Sequence, residues 1–289
     1  MHWSVFGKCV ILLLIQIGGL GFMSVAAIAS FVLRRTITLH ERMVMSAGLN
    51  LSDGGGIVRL TRRVLFGTFI IEGTGAVLLS CRFVPHYGFP KGITMGVFHA
   101  VSAFCNAGFD LMGTPDDPFQ SLIGWAEDPL VNITVMALIV LGGLGFFVWS
   151  DVWDKHSFCR LRLHTKIVLT ATAGLLLFGF GWTLLFEWSN PATLGAFDTP
   201  HKLLAAAFES VTLRTAGFNT IDLGALTGPS QAVSCLLMFI GGSPGSTAGG
   251  IKTVTFLVLV LTIWVRARGK STVCAFKRTI PDEQTQNAM

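Results

Sequence analysis

The chain has 289 residues, of which 52% are hydrophobic and 13% are charged. Scarce charge and long apolar runs exclude a soluble globular or disordered protein and indicate an integral membrane protein. The net charge of +5 does not indicate a nucleic-acid partner, because the basic residues cluster between apolar runs, as in the cytoplasmic loops of membrane proteins. The six cysteines are spaced neither as a metal site nor as a disulfide framework.

The chain begins with an apolar run over residues 9–33 that is predicted to span the membrane. This run carries no charged residue, and it is longer than the roughly 7–15 apolar residues of a cleaved signal peptide. We assign 1–33 to this helix. The arginine-rich segment 34–63 is predicted to be a cytoplasmic linker.

Residues 64–150 are predicted to form a complete unit of two spans with a shorter segment between them. The spans are expected at 64–84 and 130–150. The apolar segment 93–107 falls short of the roughly 20 residues that cross a bilayer, which favours a re-entrant helix. A basic linker follows over 151–166.

Residues 167–265 are predicted to form a second such unit, followed by a cytoplasmic tail over 266–289. Its first span is expected at 167–187 and its re-entrant helix at 203–215. Its last apolar segment, 231–265, is too long for one span and contains glycines and a proline that disfavour a continuous helix. Unwound backbone at membrane depth is tolerated only where protein buries it or where it lines a water-filled cavity. We therefore predict a broken helix beside a permeation path.

The distribution of charge predicts the orientation in the membrane. Both linkers and the tail are basic, whereas the segment 82–128 is acidic. By the positive-inside rule the basic segments face the cytoplasm. The N-terminus is then outside, the C-terminus is inside, and both re-entrant helices enter from the outer face.

An internal repeat relates the two units. Two pairs of segments align: Phe98-His-Ala-Val-Ser102 with Phe208-Glu-Ser-Val-Thr212, and Ala107-Gly-Phe-Asp110 with Ala216-Gly-Phe-Asn219. The following span carries a Gly-Gly motif in both units. Such a repeat is typical of transporters and channels, and it predicts an all-α membrane protein built from helix, re-entrant pore helix and helix units. The chain opens on the last helix of a truncated first unit, so we expect a fragment of a longer protein.

The turns after the re-entrant helices are candidate ion-filter segments. A dehydrated cation must exchange its water shell for a ring of oxygens, which pore loops supply as backbone carbonyls. Glycine permits the backbone angles that such a row of carbonyls requires. The candidate filter residues are Asn106, Ala107, Gly108 and Phe109 in the first repeat and Thr215, Ala216, Gly217 and Phe218 in the second. The alternative is an ordinary helix C-cap turn.

The glycine-rich interruption of the last span is a candidate gating loop. Its residues are Gly241, Gly242, Ser243, Pro244, Gly245, Ser246, Thr247, Ala248, Gly249, Gly250 and Lys252. It is not a nucleotide-binding P-loop, because Ile251 separates the glycine from Lys252 and no strand precedes it. The alternatives are a packing kink for the loop and a snorkelling side chain for Lys252. The Gly-Gly-Leu-Gly motifs of the other spans favour close packing through small residues.

The remaining titratable groups at membrane depth are assigned structural roles. Glu209 and Arg214 flank one re-entrant helix and are expected to pair, and His99 is expected to be a satisfied buried histidine. Glu72 lies inside a span. The chain is not predicted to be an enzyme, because neither of its membrane-depth histidines has a plausible catalytic partner.

Three segments carry a family resemblance: 98–110, 212–220 and 241–253. They resemble the second and third pore units of the Trk/Ktr/HKT potassium transporters, and the membrane subunit of the bacterial Ktr system is the nearest match. The resemblance covers nearly the whole chain, to about Lys270. It implies potassium uptake across a bacterial plasma (inner) membrane, with Gly108 and Gly217 as filter glycines and 241–253 as the gating loop.

The resemblance also implies partners. The family uses a cytoplasmic RCK-type nucleotide-binding ring for regulation, and no cofactor in the membrane chain besides the transported potassium. Family chains supply four filter segments and this one contains two, which would leave half of the ion's shell unfilled. We therefore expect, besides membrane lipid, a homodimer or an assembly with the missing pore units. The alternative function is a non-transporting truncated fragment or a structural membrane protein.

Overall fold

The computed structural model describes residues 4–20, 57–114, 118–269, 274–276 and 278–279. Within them the fold is helical, as predicted. The helices are α1 (Val5–Leu20), α2 (Ile57–Tyr87), α3 (Phe89–Phe104), α4 (Pro129–Leu144), α5 (Phe146–Lys155), α6 (Leu163–Glu187), α7 (Thr199–Thr212), α8 (Gly228–Phe239) and α9 (Thr253–Ala267). A two-residue hairpin pairs β1 (Cys274–Ala275) antiparallel with β2 (Arg278–Thr279).

Among the described helices, two are long and apolar enough to cross a bilayer: α2, over Thr61–Tyr87, and α6. The pair α4 and α5 qualifies as a third span that is bent by 93°. The helices α1 and α9 are apolar but shorter. The second half of the predicted span 9–33 and most of the linker 34–63 and the tail 266–289 lie outside the described residues.

The predicted span 130–150 is not a single helix, because α4 ends at Leu144 and α5 begins at Phe146. The intervening Gly145 has a φ of +89°, a conformation that residues with a Cβ rarely adopt. The break frees backbone groups that find other partners. The Phe146 N–H donates to the Gly245 carbonyl at 2.9 Å, and the Trp149 indole N–H donates to the Leu141 carbonyl at 3.0 Å.

The short helices α3 and α7 hold corresponding places in the two repeats. Each begins with a proline in its first turn, where the missing N–H costs no helical hydrogen bond. The main core lies between α2, α3 and α4 and includes the fully buried Phe83 and Phe104. It continues to Phe208 and Phe218 of the second repeat, so the turns that follow α3 and α7 are set on one shared core.

Candidate functional site

The turns after α3 and α7 share the same alternation of positive and negative φ. We call residues 106–109 the first re-entrant turn and residues 215–218 the second. In each turn the first and third residues have positive φ: Asn106 (50°), Gly108 (71°), Thr215 (64°) and Gly217 (87°). The second and fourth residues do not. When left-handed and ordinary residues alternate, successive peptide groups point the same way, which is the arrangement a row of ion ligands needs.

Each re-entrant turn is fixed by the helix that precedes it. The Ser102 hydroxyl donates to the Phe109 carbonyl at 2.6 Å, and the Thr212 hydroxyl donates to the Phe218 carbonyl at 2.6 Å. Ser102 and Thr212 are equivalent positions of the repeat. The repeat in sequence is therefore a repeat in hydrogen bonding, with the last carbonyl of each turn held by a hydroxyl.

The two re-entrant turns lie side by side. A Cβ on Gly108 would be 2.6 Å from the Ala216 carbonyl oxygen and 3.0 Å from the Gly217 Cα. A Cβ on Gly217 would be 3.3 Å from the Gly108 Cα. Only glycine allows this approach, because any side chain at Gly108 would displace the backbone of the other turn.

The segments that follow the turns are also bound to the protein. The Asn219 N–H donates to the Ser121 hydroxyl at 3.1 Å, and the Leu122 N–H donates to the Asn219 carbonyl at 2.9 Å.

His99 on α3 is fully buried, with Nδ1 2.7 Å from the Met95 carbonyl and Nε2 accepting from the Leu111 N–H at 3.3 Å. The prediction of a satisfied buried histidine is confirmed.

The glycine-rich loop, which we define as residues 241–252, joins α8 to α9 and doubles back on itself. The Gly241 N–H donates to the Ile251 carbonyl at 3.0 Å, and the Ile251 N–H donates to the Phe239 carbonyl at 3.0 Å. A Cβ on Gly241 would overlap the Gly249 carbonyl. The Lys252 ammonium group donates to the Ala248 carbonyl at 2.8 Å, so it is bound within the loop.

The loop is seated on the break between α4 and α5, in the other repeat. Three backbone hydrogen bonds join them: Ser243 N–H to the Gly143 carbonyl (3.0 Å), Thr247 N–H to the Gly142 carbonyl (3.2 Å), and Phe146 N–H to the Gly245 carbonyl (2.9 Å). The Ser243 hydroxyl contacts the Gly143 and Leu144 carbonyls as well. Carbonyls at the end of α4 therefore accept from the loop instead of from a further helical turn.

The Gly-Gly-Leu-Gly motif of α4 is a close-packing site, as predicted. A Cβ on Gly142 would overlap the Phe104 carbonyl oxygen and lie 2.7 Å from the Thr247 hydroxyl. In α1, a Cβ on Gly19 would overlap the Cys105 side chain. The sequence did not reveal that the partners of Gly142 are the end of α3 and the glycine-rich loop, since no local pattern encodes contacts between residues far apart in the chain.

The loop also contacts both re-entrant turns. The Thr247 hydroxyl donates to the Phe104 carbonyl at 2.9 Å and lies 3.4 Å from the Asn106 side-chain nitrogen. The Gly249 N–H donates to the Thr215 hydroxyl at 3.2 Å. The loop thus lies against the first residue of each turn.

The predicted pair of Glu209 and Arg214 does not form. Arg214 is buried and donates from its guanidinium to the Gly241 carbonyl at 3.0 Å. Glu209 is 1% exposed, and among the described residues neither of its carboxylate oxygens has a hydrogen-bond partner. Residues five apart do not share a helix face, which separates the two groups.

Two buried carboxylates, Glu72 and Glu187, have partners that the sequence did not indicate. Glu72 on α2 accepts from the Gln16 side-chain amide on α1 at 2.9 Å and so ties the first helix to the first repeat. Glu187, at the end of α6, accepts from the side chains of Asn190 and Thr193, each at 2.7 Å. The only signal for these contacts was the presence of a carboxylate within or at the end of an apolar span.

Comparison with known proteins identifies similar chains. Residues 2–289 match the family TrkH, described as "Cation transport protein". The Ktr system potassium uptake protein B of Bacillus subtilis is 41% identical over 279 residues, which cover 96% of this chain and 61% of that protein. The potassium/sodium uptake protein NtpJ of Enterococcus hirae is 40% identical over 279 residues, which cover 96% of this chain and 60% of that one.

The fold is also similar to a solved structure. The crystal structure of the potassium transporter TrkH from Vibrio parahaemolyticus superimposes with a TM-score of 0.63 at 15% sequence identity, over 86% of this chain and 51% of that one. The chain spans about three fifths of the length of the curated relatives named above.

Proposed function

Since the chain belongs to the TrkH family of cation transport proteins, we propose that it forms part of a potassium uptake path through the membrane. Its family is one of transport proteins and not of enzymes, as the sequence predicts. The observation that supports the proposal best is the pair of adjacent re-entrant turns with the same alternating φ pattern. Their carbonyls replace part of the ion's hydration shell.

In this proposal, 64–150 and 167–265 are pore units, and two further filter segments complete the ring. Those segments come from the rest of a longer chain or from a second copy. The filter residues are the two re-entrant turns. The short helices α3 and α7 direct their C-terminal ends, which carry partial negative charge, at the ion.

The glycine-rich loop is the proposed gate. Its contacts with both re-entrant turns support a position at one end of the proposed ion path. Glycine and serine residues make its backbone easy to rearrange. Arg214, which is bonded to the Gly241 carbonyl, stabilises the seated form of the loop.

The proposal extends to the cellular setting. The transported ion is potassium, and the chain lies in lipid in the inner membrane of a bacterium. Its N-terminus is outside and its C-terminus is in the cytoplasm, where an RCK-type nucleotide-binding ring regulates the gate. The relative from B. subtilis is named as part of a Ktr system, which supports a partner of this kind.

The substitution Gly217→Asp in the full gene product tests the proposed filter. Gly217 has a φ of +87° and lies against Gly108, so a carboxylate there distorts the turn and adds charge to the ion path. We expect rubidium uptake, in cells that lack their own potassium uptake systems, to fall at least about tenfold, equivalent to about 1.4 kcal/mol. The matched control is Gly228→Asp at the first turn of α8, where no atom lies within 4 Å of the added Cβ.

Two results would contradict the proposal. Uptake by Gly217→Asp at the wild-type rate, with equal protein in the membrane, would reduce the second re-entrant turn to a structural helix cap. Absence of uptake by the wild-type protein would favour the non-transporting, structural alternative.

A further inference from the structure

Asn106 and Thr215 occupy equivalent positions, and both combine an unusual backbone with a side-chain contact to the glycine-rich loop. Each is the first residue of a re-entrant turn, and their φ values are 50° and 64°. We propose that these two side chains couple the conformation of the re-entrant turns to the seating of the loop. The proposal rests on the proposed function, in which the turns bind the ion and the loop is the gate.

The backbone of Thr215 is the first argument. A β-branched residue with positive φ is a genuine outlier, because its side chain crowds the preceding and following peptide groups. Glycine would adopt this conformation without strain. Threonine therefore offers something that glycine lacks, and its hydroxyl, which accepts from the Gly249 N–H at 3.2 Å, is what it contributes.

The contacts of Asn106 are the second argument. Its Nδ2 lies 3.4 Å from the Thr247 hydroxyl, and that hydroxyl donates to the Phe104 carbonyl at the end of α3. The Oδ1 of Asn106 is buried and has no hydrogen-bond partner in the part of the chain that the structure describes. Within that part, the loop provides the hydrogen bond that orients this side chain.

The two contacts have a shared consequence. The loop cannot leave its seat without releasing the first residue of both turns, and a strained residue that loses its partner relaxes toward ordinary backbone angles. The carbonyls of the turns then change direction. A seated loop therefore maintains the ion-binding geometry, and its displacement weakens ion selectivity.

Three substitutions at Thr215 separate the roles of the hydroxyl and of the backbone. Thr215→Ser keeps the hydroxyl, Thr215→Gly keeps the backbone angle without the hydroxyl, and Thr215→Ala keeps neither. The Gly variant should loosen the loop but lower the preference for rubidium over sodium less than the Ala variant does, because glycine adopts a positive φ without strain. The Ala variant should loosen the loop and lower that preference, whereas the Ser variant should resemble the wild type.

The first measurement is amide hydrogen exchange of the loop in the purified full-length protein. Loss of one hydrogen bond should speed exchange in the loop by about 3- to 10-fold in the Gly and Ala variants and in Asn106→Ala. The control is Thr220→Val, because the Thr220 hydroxyl is buried without a partner among the described residues. Unchanged loop exchange in Thr215→Gly and in Asn106→Ala would overturn the coupling.

The second measurement is competition between rubidium and sodium in uptake assays. Equal selectivity of the Gly and Ala variants at Thr215 would overturn the claim that the side chain maintains the ion-binding geometry. If the wild-type protein takes up no rubidium but its loop exchange responds to Thr215→Gly, the proposed function fails while the link between turn and loop is upheld.

Discussion

The two repeats share their re-entrant turns but differ in the helices that follow. In the first repeat, the break between α4 and α5 is confined to Gly145. In the second, the glycine-rich loop separates α8 from α9. The loop of the second repeat is seated on the break of the first. In our proposal, the re-entrant turns that contact the ion are alike in the two repeats. The moving glycine-rich loop belongs to the second repeat, and the α4–α5 break on which it packs belongs to the first.

The support behind the turns also differs between the repeats. His99 on α3 and Glu209 on α7 are equivalent positions. Both are buried, but His99 has a partner for each ring nitrogen, whereas the Glu209 carboxylate has none within the described residues. The same turn geometry is therefore maintained without the same supporting bonds.

The largest expected effect comes from Gly142→Ala, which adds a methyl group at the end of α4 where the glycine-rich loop packs. The added Cβ would overlap the Phe104 carbonyl oxygen, which is backbone and cannot rotate away. We expect a loss of stability at the upper end of about 1–3 kcal/mol, together with displacement of the loop. The measurement is thermal unfolding of the purified protein, with rubidium uptake alongside.

The neighbouring glycine supplies the control for this change. A Cβ on Gly143 would meet the Asn106 side-chain nitrogen at 3.6 Å, an ordinary contact. Because alanine favours a helix by up to about 1 kcal/mol over glycine, Gly143→Ala should unfold at or above the wild-type temperature. Equal destabilisation by both substitutions would show that the loss of stability does not come from the close contact at Gly142.

Hydropathy and the repeat predicted the helical class, both re-entrant helices and the interruption of the last span. They did not predict the break at Gly145, because a glycine motif in an apolar span is equally typical of close packing and of positive φ. They also missed the seat of the loop and the bond from Arg214 to Gly241. Those contacts join residues far apart in the chain, and local periodicity carries no information about them.

A smaller effect is expected from removing the polar group behind each turn. His99→Leu leaves the Leu111 N–H without its acceptor, and we expect a loss of about 1–2 kcal/mol. Glu209→Leu removes a buried carboxylate without a partner among the described residues, so its effect should be neutral or stabilising. Thermal unfolding midpoints of the two variants measure the difference. Equal losses would mean that Glu209 supports its turn as His99 does.

The smallest effect concerns the starts of α3 and α7. Neither helix start has a side-chain cap, but α7 begins beside an ion pair between His201 and Asp198. Hydrogen bonding to Asp198 raises the pKa of His201, and the same bond lowers the pKa of Asp198. The pair therefore contributes to stability while Asp198 is ionised and His201 is protonated.

The sign of the pH dependence follows from these shifts. The contribution of His201 is complete below its ordinary pKa of about 6.5, and it is lost as the pH rises through the raised value in the folded protein. Because the pair is exposed to solvent, the change should be small and should shrink further with added salt. Comparing the unfolding midpoints of the wild type and His201→Gln across this pH range measures it. A pH dependence that persists unchanged in His201→Gln would assign the titration to another group and leave the starts of α3 and α7 equivalent in this respect.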